Sequence, residues 1–256
     1  MGGGEWAINR RLNWPDCHNT RDLGGLPRSG GVTRTGVLVR SDNLASLTSA
    51  GRRAMIDYGV TTVIDLRAKS EVNGAPGPPF SNFQSSDNSA PQQQELGAPV
   101  YLNLPLIDDE VALVVNDAPT MPDRYRVILD RRHAAFGPIF DAIARADGPV
   151  LFHCFAGKDR TGLVAAMLLS VAGVEAEAIG ADYAETDVQL ASRYAEWLAK
   201  ASPDRLEGMR DELRCPPEWM LGALEYVEQK WGGVDSYLEA AGVAPIDIDR
   251  LTAKLA

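Results

Sequence analysis

An α/β fold, with a mostly parallel central sheet flanked by helices and a helical C-terminal part, is the architecture this sequence predicts. Two patterns carry the prediction. Short β-branched runs alternate with segments of helical spacing through the first half of the chain, and residues 163–256 are almost wholly helical in pattern. The bulk composition, 45% hydrophobic and 23% charged, is that of an ordinary globular protein. At 256 residues the chain can bury a full core, and we expect one domain spanning 1–256.

Taken in order, runs at 36–40, 61–67, 100–106 and 149–152 read as buried strands. Helical spacing covers 48–58 and 123–146. In the second segment Tyr125, Ile128, Leu129, Ile139 and Ile143 recur at threes and fours, and Pro138 is expected to break or kink it. Residues 73–99 are rich in Pro, Gly, Ser, Asn and Gln and read as an exposed loop. The helical C-terminal part is punctuated at Gly173, at Ser202 and Pro203, at Pro216 and Pro217, and at Gly232 and Gly233.

Charge and cysteine usage narrow the function. With 35 acidic against 25 basic residues the net charge is -10, which opposes binding to nucleic acids or to anionic membranes, so an anionic substrate needs a locally positive pocket. No apolar run approaches the ~20 residues of a membrane-spanning helix, and no export signal stands at the start. Met1 and Gly2 lack the Ser or Thr that myristoylation needs, since Trp6 stands there, so stable membrane anchoring is not expected. Cys17, Cys154 and Cys215 have no paired spacing, which suits free thiols and a cytoplasmic location. The three histidines form no metal-binding pattern, and no cofactor is expected.

The informative segment is 149–162, PVLFHCFAGKDRTG, where an apolar strand ends at Cys154 and a helix begins soon after. Five residues separate Cys154 from Arg160, a spacing that lets a short loop curl until the guanidinium faces the thiol. Backbone N–H groups of Phe155, Ala156, Gly157 and Lys158 can then point inward as a nest for phosphate oxygens, at the positive end of the following helix. The same field favours a thiolate, the nucleophilic form of cysteine. Arg160 offers a planar fork matched to two phosphate oxygens. Thr161 puts a hydroxyl where it can hydrogen-bond the sulfur and ease its departure, and His153 is expected to order the loop. Asp159 is the first choice for proton donor to the leaving oxygen. Lys158 either contacts further phosphate groups or lies solvated at the rim.

The same residues also admit less functional readings. A lone cysteine is most often an inert buried thiol, but the surrounding offsets argue otherwise. Asp159 also suits a helix N-cap, and the two roles can coexist. A nucleotide-binding loop fails, because Asp159 replaces its Ser or Thr and Phe152 its first glycine.

HCFAGKDRTG resembles the phosphate-binding loop of the protein tyrosine phosphatase superfamily, and its GKDRTG ending is similar to a bacterial and fungal branch of tyrosine or dual-specificity phosphatases. Asn19-Thr20-Arg21-Asp22-Leu23-Gly24-Gly25, Arg40-Ser41-Asp42, Ile64-Asp65-Leu66-Arg67 and Ala181-Asp182-Tyr183 also resemble recurrent segments of that branch, with Thr20 in place of its usual aromatic residue. The resemblance implies hydrolysis of phosphotyrosine, and in some members phosphoserine, phosphothreonine or phosphoinositides, through a cysteinyl-phosphate intermediate. The substrate partners would be phosphorylated proteins or phosphoinositides. It also implicates Asp159 in catalysis and Lys158 in substrate choice. Asp108 and Asp109 are the alternative acids, near where dual-specificity enzymes keep theirs. Trp14-Pro15-Asp16 copies the acid-bearing tripeptide of other tyrosine phosphatases but lies too early in the chain. Arg21, Asp22, Arg40, Asp65 and Arg67 are expected to form charge networks beneath the loop. Rival readings are a catalytically silent pseudophosphatase, and a loop-cysteine sulfurtransferase or arsenate reductase.

Overall fold

The structure, a computed structural model, describes residues 10–74 and 98–256. The stretch expected as an exposed loop, 73–99, therefore lies outside the described residues apart from its two ends, as does the start of the chain.

Seven strands are present among the described residues: β1 (Arg21–Asp22), β2 (Pro27–Arg28), β3 (Gly31–Val32), β4 (Leu38–Ser41), β5 (Thr62–Asp65), β6 (Val100–Asn103) and β7 (Val150–His153). Five of them form the central sheet in the order β1-β4-β7-β5-β6, while β2 and β3 make a separate ribbon. Strands β4, β7, β5 and β6 run parallel, and only the edge strand β1 is antiparallel to its neighbour. The four expected strand runs are the four parallel strands, so the mostly parallel sheet stands.

The helices in the first part are α1 (Ser49–Asp57), α2 (Lys69–Asn73), α3 (Ala112–Asp117), α4 (Met121–Arg131) and α5 (His133–Arg145). After β7 come α6 (Asp159–Val171), α7 (Ala176–Gln189), α8 (Ala191–Lys200), α9 (Pro203–Leu213), α10 (Pro217–Trp231), α11 (Val234–Ala240) and α12 (Pro245–Leu255). Their boundaries follow local chemistry. Thr48 caps α1 by accepting from the Gly51 amide, and Thr120 caps α4 by accepting from the Asp123 amide. Pro203 and Pro217 stand at helix starts, where a missing N–H costs nothing, and Gly232 closes α10 in the left-handed region.

The segment expected to break at Pro138 breaks at Arg132 instead. Arg132 leaves helical torsions (φ −113°, ψ 17°), and its guanidinium donates to the Leu106 carbonyl at 2.9 Å and pairs with Asp108. Pro138 sits inside α5 near its beginning, where the carbonyl it leaves unmatched, that of Ala134, belongs to the first turn.

Strand side chains alternate between two cores, as the period of two requires. Leu38, Ile64, Val150 and Phe152 enter the larger one, with Tyr125, Phe136, Phe140, Met220, Tyr237 and Leu251 from the helical layer. Val39, Val63 and Leu151 enter the smaller one, with Trp14, Leu47 and Met55. Because both faces are covered, the sheet interior is apolar, and the polar residues collect where the strands end.

Candidate active site

Three parallel strands end level. Ser41 of β4 and Asp65 of β5 both pair with His153, the last residue of β7, and the chain leaves the sheet at Cys154 to re-enter as α6 at Asp159. The turn thus lies beyond the carboxyl ends of the strands, where α/β sheets place their ligands.

Every carbonyl oxygen from Cys154 to Lys158 accepts a hydrogen bond, those of residues 154–157 from the surrounding wall and that of Lys158 from the first turn of α6. His153 Nδ1 donates to the Cys154 carbonyl at 3.0 Å, and the Asn43 amide to that of Phe155 at 2.9 Å. Asn19 Nδ2 donates to Ala156 at 2.9 Å and to Gly157 at 3.1 Å. Arg40 Nη2 donates to Gly157 at 2.7 Å, and the Gly162 amide to Lys158 at 2.7 Å. Amide and carbonyl point opposite ways across a peptide plane, so this leaves the N–H groups of residues 155–158 for the other side; among the described residues none of the four has a protein acceptor. Gly157 makes the curl possible. Its φ is +66°, and a Cβ there would lie 2.5 Å from the Ser41 carbonyl oxygen.

The wall that holds these carbonyls is itself ionic and buried. Asp182 of α7 joins Arg40 (2.6 Å), Arg10 (2.7 Å) and Arg21 (3.1 Å). Burial disfavours its charge, but Arg21, Arg40 and Arg10 outweigh that and hold its pKa well below the usual carboxylate range. Arg21 is lowered to about 10 by burial and by its neighbour Arg40. A second pair lies under β5 and β7, where Arg67 forks onto Asp65 and Asp65 lies 3.7 Å from His153 Nε2. Burial lowers the His153 pKa, with Asp65 opposing, and a carbonyl partner requires the hydrogen on Nδ1. His153 orders the loop, as expected. Arg21, Arg40, Asp65 and Arg67 are all part of this buried framework, and Asp22 caps the Gly24 amide at 2.6 Å.

Cys154 is buried. Burial opposes the Arg160 charge; hydrogen bonds to Glu71 more than compensate. Arg160 Nη2 donates to Glu71 Oε1 at 2.9 Å and Nη1 to Oε2 at 2.5 Å, while Glu71 Oε2 also accepts from the Ala68 amide. Asp159 is the first residue of α6 rather than its cap. Its Oδ1 accepts from the Tyr125 hydroxyl at 2.6 Å. Lys158 is turned inward, away from either place expected for it. Its ammonium donates to the Glu212 carbonyl at 2.5 Å, lies 3.3 Å from Asp159 Oδ1 and sits 5.6 Å from the centre of the Trp219 ring. The Thr161 hydroxyl does not bond the sulfur; its oxygen is buried with no partner among the described residues. Phe155 is half exposed and stacks on Trp197 of α8 at 6.0 Å.

A cavity of about 350 Å³ opens beside Arg160 and Asp159, floored by Met121 and Ile128 and edged by Arg124 and Asp109. The two alternative acids part here. Asp108 is tied to Arg132 and caps the Val111 amide at 3.0 Å, whereas Asp109 lines the cavity and accepts from Ser70. Asp16 stands in a turn (φ 65°) near the outer side of the loop, in a small cleft with Phe155 and Ala156.

Several contributors escaped the sequence reading. Glu71 carries a signal in hindsight, four residues after Arg67 in α2, the short helix that follows β5. Tyr125 looked like one more apolar helix position, and Trp219 sits in a segment with no motif.

Residues 12–256 match the sequence profile of the tyrosine phosphatase family. The triple specificity protein phosphatase PtpB of Mycobacterium tuberculosis is 30% identical over 273 residues, covering 93% of this chain and 96% of that protein. A tyrosine-protein phosphatase of Nostoc commune is 30% identical over 234 residues, covering 85% of this chain and 73% of that one. The solved P. aeruginosa TpbA in complex with pTyr covers 82% of this chain and 88% of its own at 20% identity, with a TM-score of 0.33, a likeness too loose to bear on the site.

Removing the charge at Asp182 leaves three guanidiniums around a neutral amide. Asp182→Asn is expected to lose about 3–5 kcal/mol in urea unfolding at neutral pH. Because the folded carboxyl is held low, its contribution is complete above the unfolded value of ~3.9 and drains away as pH falls toward the folded value. The gap between parent and variant should narrow below about pH 4; a gap unchanged down to about pH 3 contradicts the assignment.

Proposed function

The chain belongs to the tyrosine phosphatase family and is a protein-tyrosine or dual-specificity phosphatase, and on that premise we propose that it works through a cysteinyl-phosphate intermediate on Cys154. The sulfur attacks phosphorus, the bond from phosphorus to the ester oxygen breaks, and Asp159 gives its proton to the departing oxygen. Water then attacks phosphorus, its proton passes to Asp159, and the phosphorus–sulfur bond breaks to free inorganic phosphate and the thiolate. The inward amides of Phe155, Ala156, Gly157 and Lys158, with Arg160 steadied by Glu71, hold the phosphate oxygens and the charge that builds on them. The Thr161 hydroxyl does not bond the sulfur in this structure; buried and unpartnered among the described residues, it is proposed to turn to the sulfur only as that atom departs. The observation that carries the reading is the outward bonding of all five loop carbonyls.

The family match does not favour the silent pseudophosphatase, the sulfurtransferase or the arsenate reductase. Phosphotyrosine proteins are the proposed substrates, and the name triple specificity borne by one relative supports a wider range that includes phosphoserine, phosphothreonine or phosphoinositides. A single phosphatase domain is supported by the match over residues 12–256. Three free, buried thiols support a cytoplasmic location; among the described residues no helix is long and apolar enough to cross a membrane.

Cys154→Ser is expected to release no phosphate, and acid quenching of the parent in a single turnover should trap phosphate on Cys154. Phosphate release by the variant at the parent rate ends the proposal. Of the two acids, Asp159→Asn should flatten the acidic limb of the pH–rate profile while Asp109→Asn leaves it in place; the reverse result moves the acid to Asp109. Lys158→Ala separates substrate reading from an internal role. Since its ammonium is committed to Glu212, Trp219 and Asp159, activity should fall by a similar factor on phosphopeptides and phosphoinositides. A loss confined to inositol lipids assigns Lys158 to substrate choice.

A further inference from the structure

We infer that Tyr125 and Tyr183 fix which oxygen of Asp159 carries the proton given to the leaving group, and so act as positioning residues for the proton donor. This rests on Asp159 being that donor. Tyr125 of α4 and Tyr183 of α7 are both buried, with their rings edge to face at 6.4 Å, so neither hydroxyl can swing out to water.

Hydrogen counting gives the chain a direction. The Tyr125 hydroxyl lies 2.6 Å from Asp159 Oδ1 and 2.6 Å from the Tyr183 hydroxyl. It has one hydrogen, and a carboxylate oxygen can only accept, so that hydrogen goes to Oδ1. Tyr183 must then donate into the Tyr125 oxygen. Burial, followed by the charge of Asp159, raises the pKa of both phenols, which keeps both hydrogens in place. The Lys158 ammonium approaches the same Oδ1 at 3.3 Å. A hydrogen bond and a cation therefore converge on Oδ1, and a proton placed there would meet both.

The proton belongs on Oδ2. That oxygen has no hydrogen-bond partner among the described residues, and the Asp159 side chain is one-third exposed where it lines the cavity shared with Arg160. When Oδ2 gives its proton to the ester oxygen, Oδ1 keeps the Tyr125 hydrogen and the new carboxylate is already solvated by protein. When water is activated in the second step, Oδ2 is again the vacant acceptor. A carboxyl free to rotate would spend part of its time with the proton turned away from the cavity.

A merely structural role, joining α4 and α7 to the start of α6, would slow all substrates alike. The test is a series of aryl phosphates whose phenols span a range of acidity, assayed with the parent, Tyr125→Phe, Tyr183→Phe, Asp159→Asn and the Tyr125→Phe/Asp159→Asn double variant. Poor leaving groups need the proton and good ones do not. Tyr125→Phe should slow esters of weakly acidic phenols by about tenfold or more while nitrophenyl phosphate changes by less than about threefold. Tyr183→Phe, which leaves the direct bond in place, should act in the same direction and less. In the Asp159→Asn background Tyr125→Phe should add nothing. Equal slowing of every ester, or full additivity with Asp159→Asn, overturns the inference while leaving Asp159 as donor. If Asp159→Asn itself leaves the leaving-group dependence unchanged, the proton-donor reading fails and the inference falls with it.

Discussion

The outward pull on the carbonyl oxygens between Cys154 and Lys158 is the constraint on which the rest depends. A peptide unit cannot send both its polar ends the same way, so fixing the oxygens in the wall decides where the hydrogens go. The wall therefore has to be polar, rigid and dry at once. Asn19, Arg40 and the His153 ring meet that need, and Asp182 is the buried counter-ion that Arg40 and Arg21 share. Such a network adds little raw stability relative to an apolar core, but it leaves one arrangement in which the loop carbonyls and the buried charges are held together.

A chain with net charge -10 must still attract a dianion. The expected remedy was a locally positive pocket. The structure is subtler, because three basic side chains at the loop each have an acidic partner: Arg160 with Glu71, Lys158 with Asp159, Arg40 with Asp182. What stays uncompensated is the field of aligned amides and the start of α6. An electrically quiet side-chain shell around oriented dipoles favours an anion of the right size and place over anions in general.

Much of this was legible in the sequence. The parallel strands announced themselves as β-branched runs, and Cys154, Gly157 and Arg160 by fixed offsets in one short segment. The buried role of Arg21, Arg40, Asp65 and Arg67 was also foreseeable, since charges in apolar strands need partners. Three things were hidden. The helix boundary at Arg132 depends on a guanidinium reaching Leu106 and Asp108 from another element, which no local propensity records. Lys158 was expected either at further phosphate groups or solvated at the rim, and only the later arrival of Glu212 and Trp219 gives it an interior site. Tyr125 was counted for its ring, while its hydroxyl does the separate work of meeting Asp159.

The partners that shape the loop come from far along the chain: Asn19 reaches Gly157 across 138 positions, and Arg40 reaches Asp182 across 142. Long closures of this kind form late and together, because each is entropically costly until the others exist. An incompletely assembled chain would therefore carry Cys154 on a slack, unshaped segment. Competence should arrive in a single cooperative event, after the two halves of the polypeptide have met, so that partly made or partly degraded protein is silent rather than weakly and indiscriminately active.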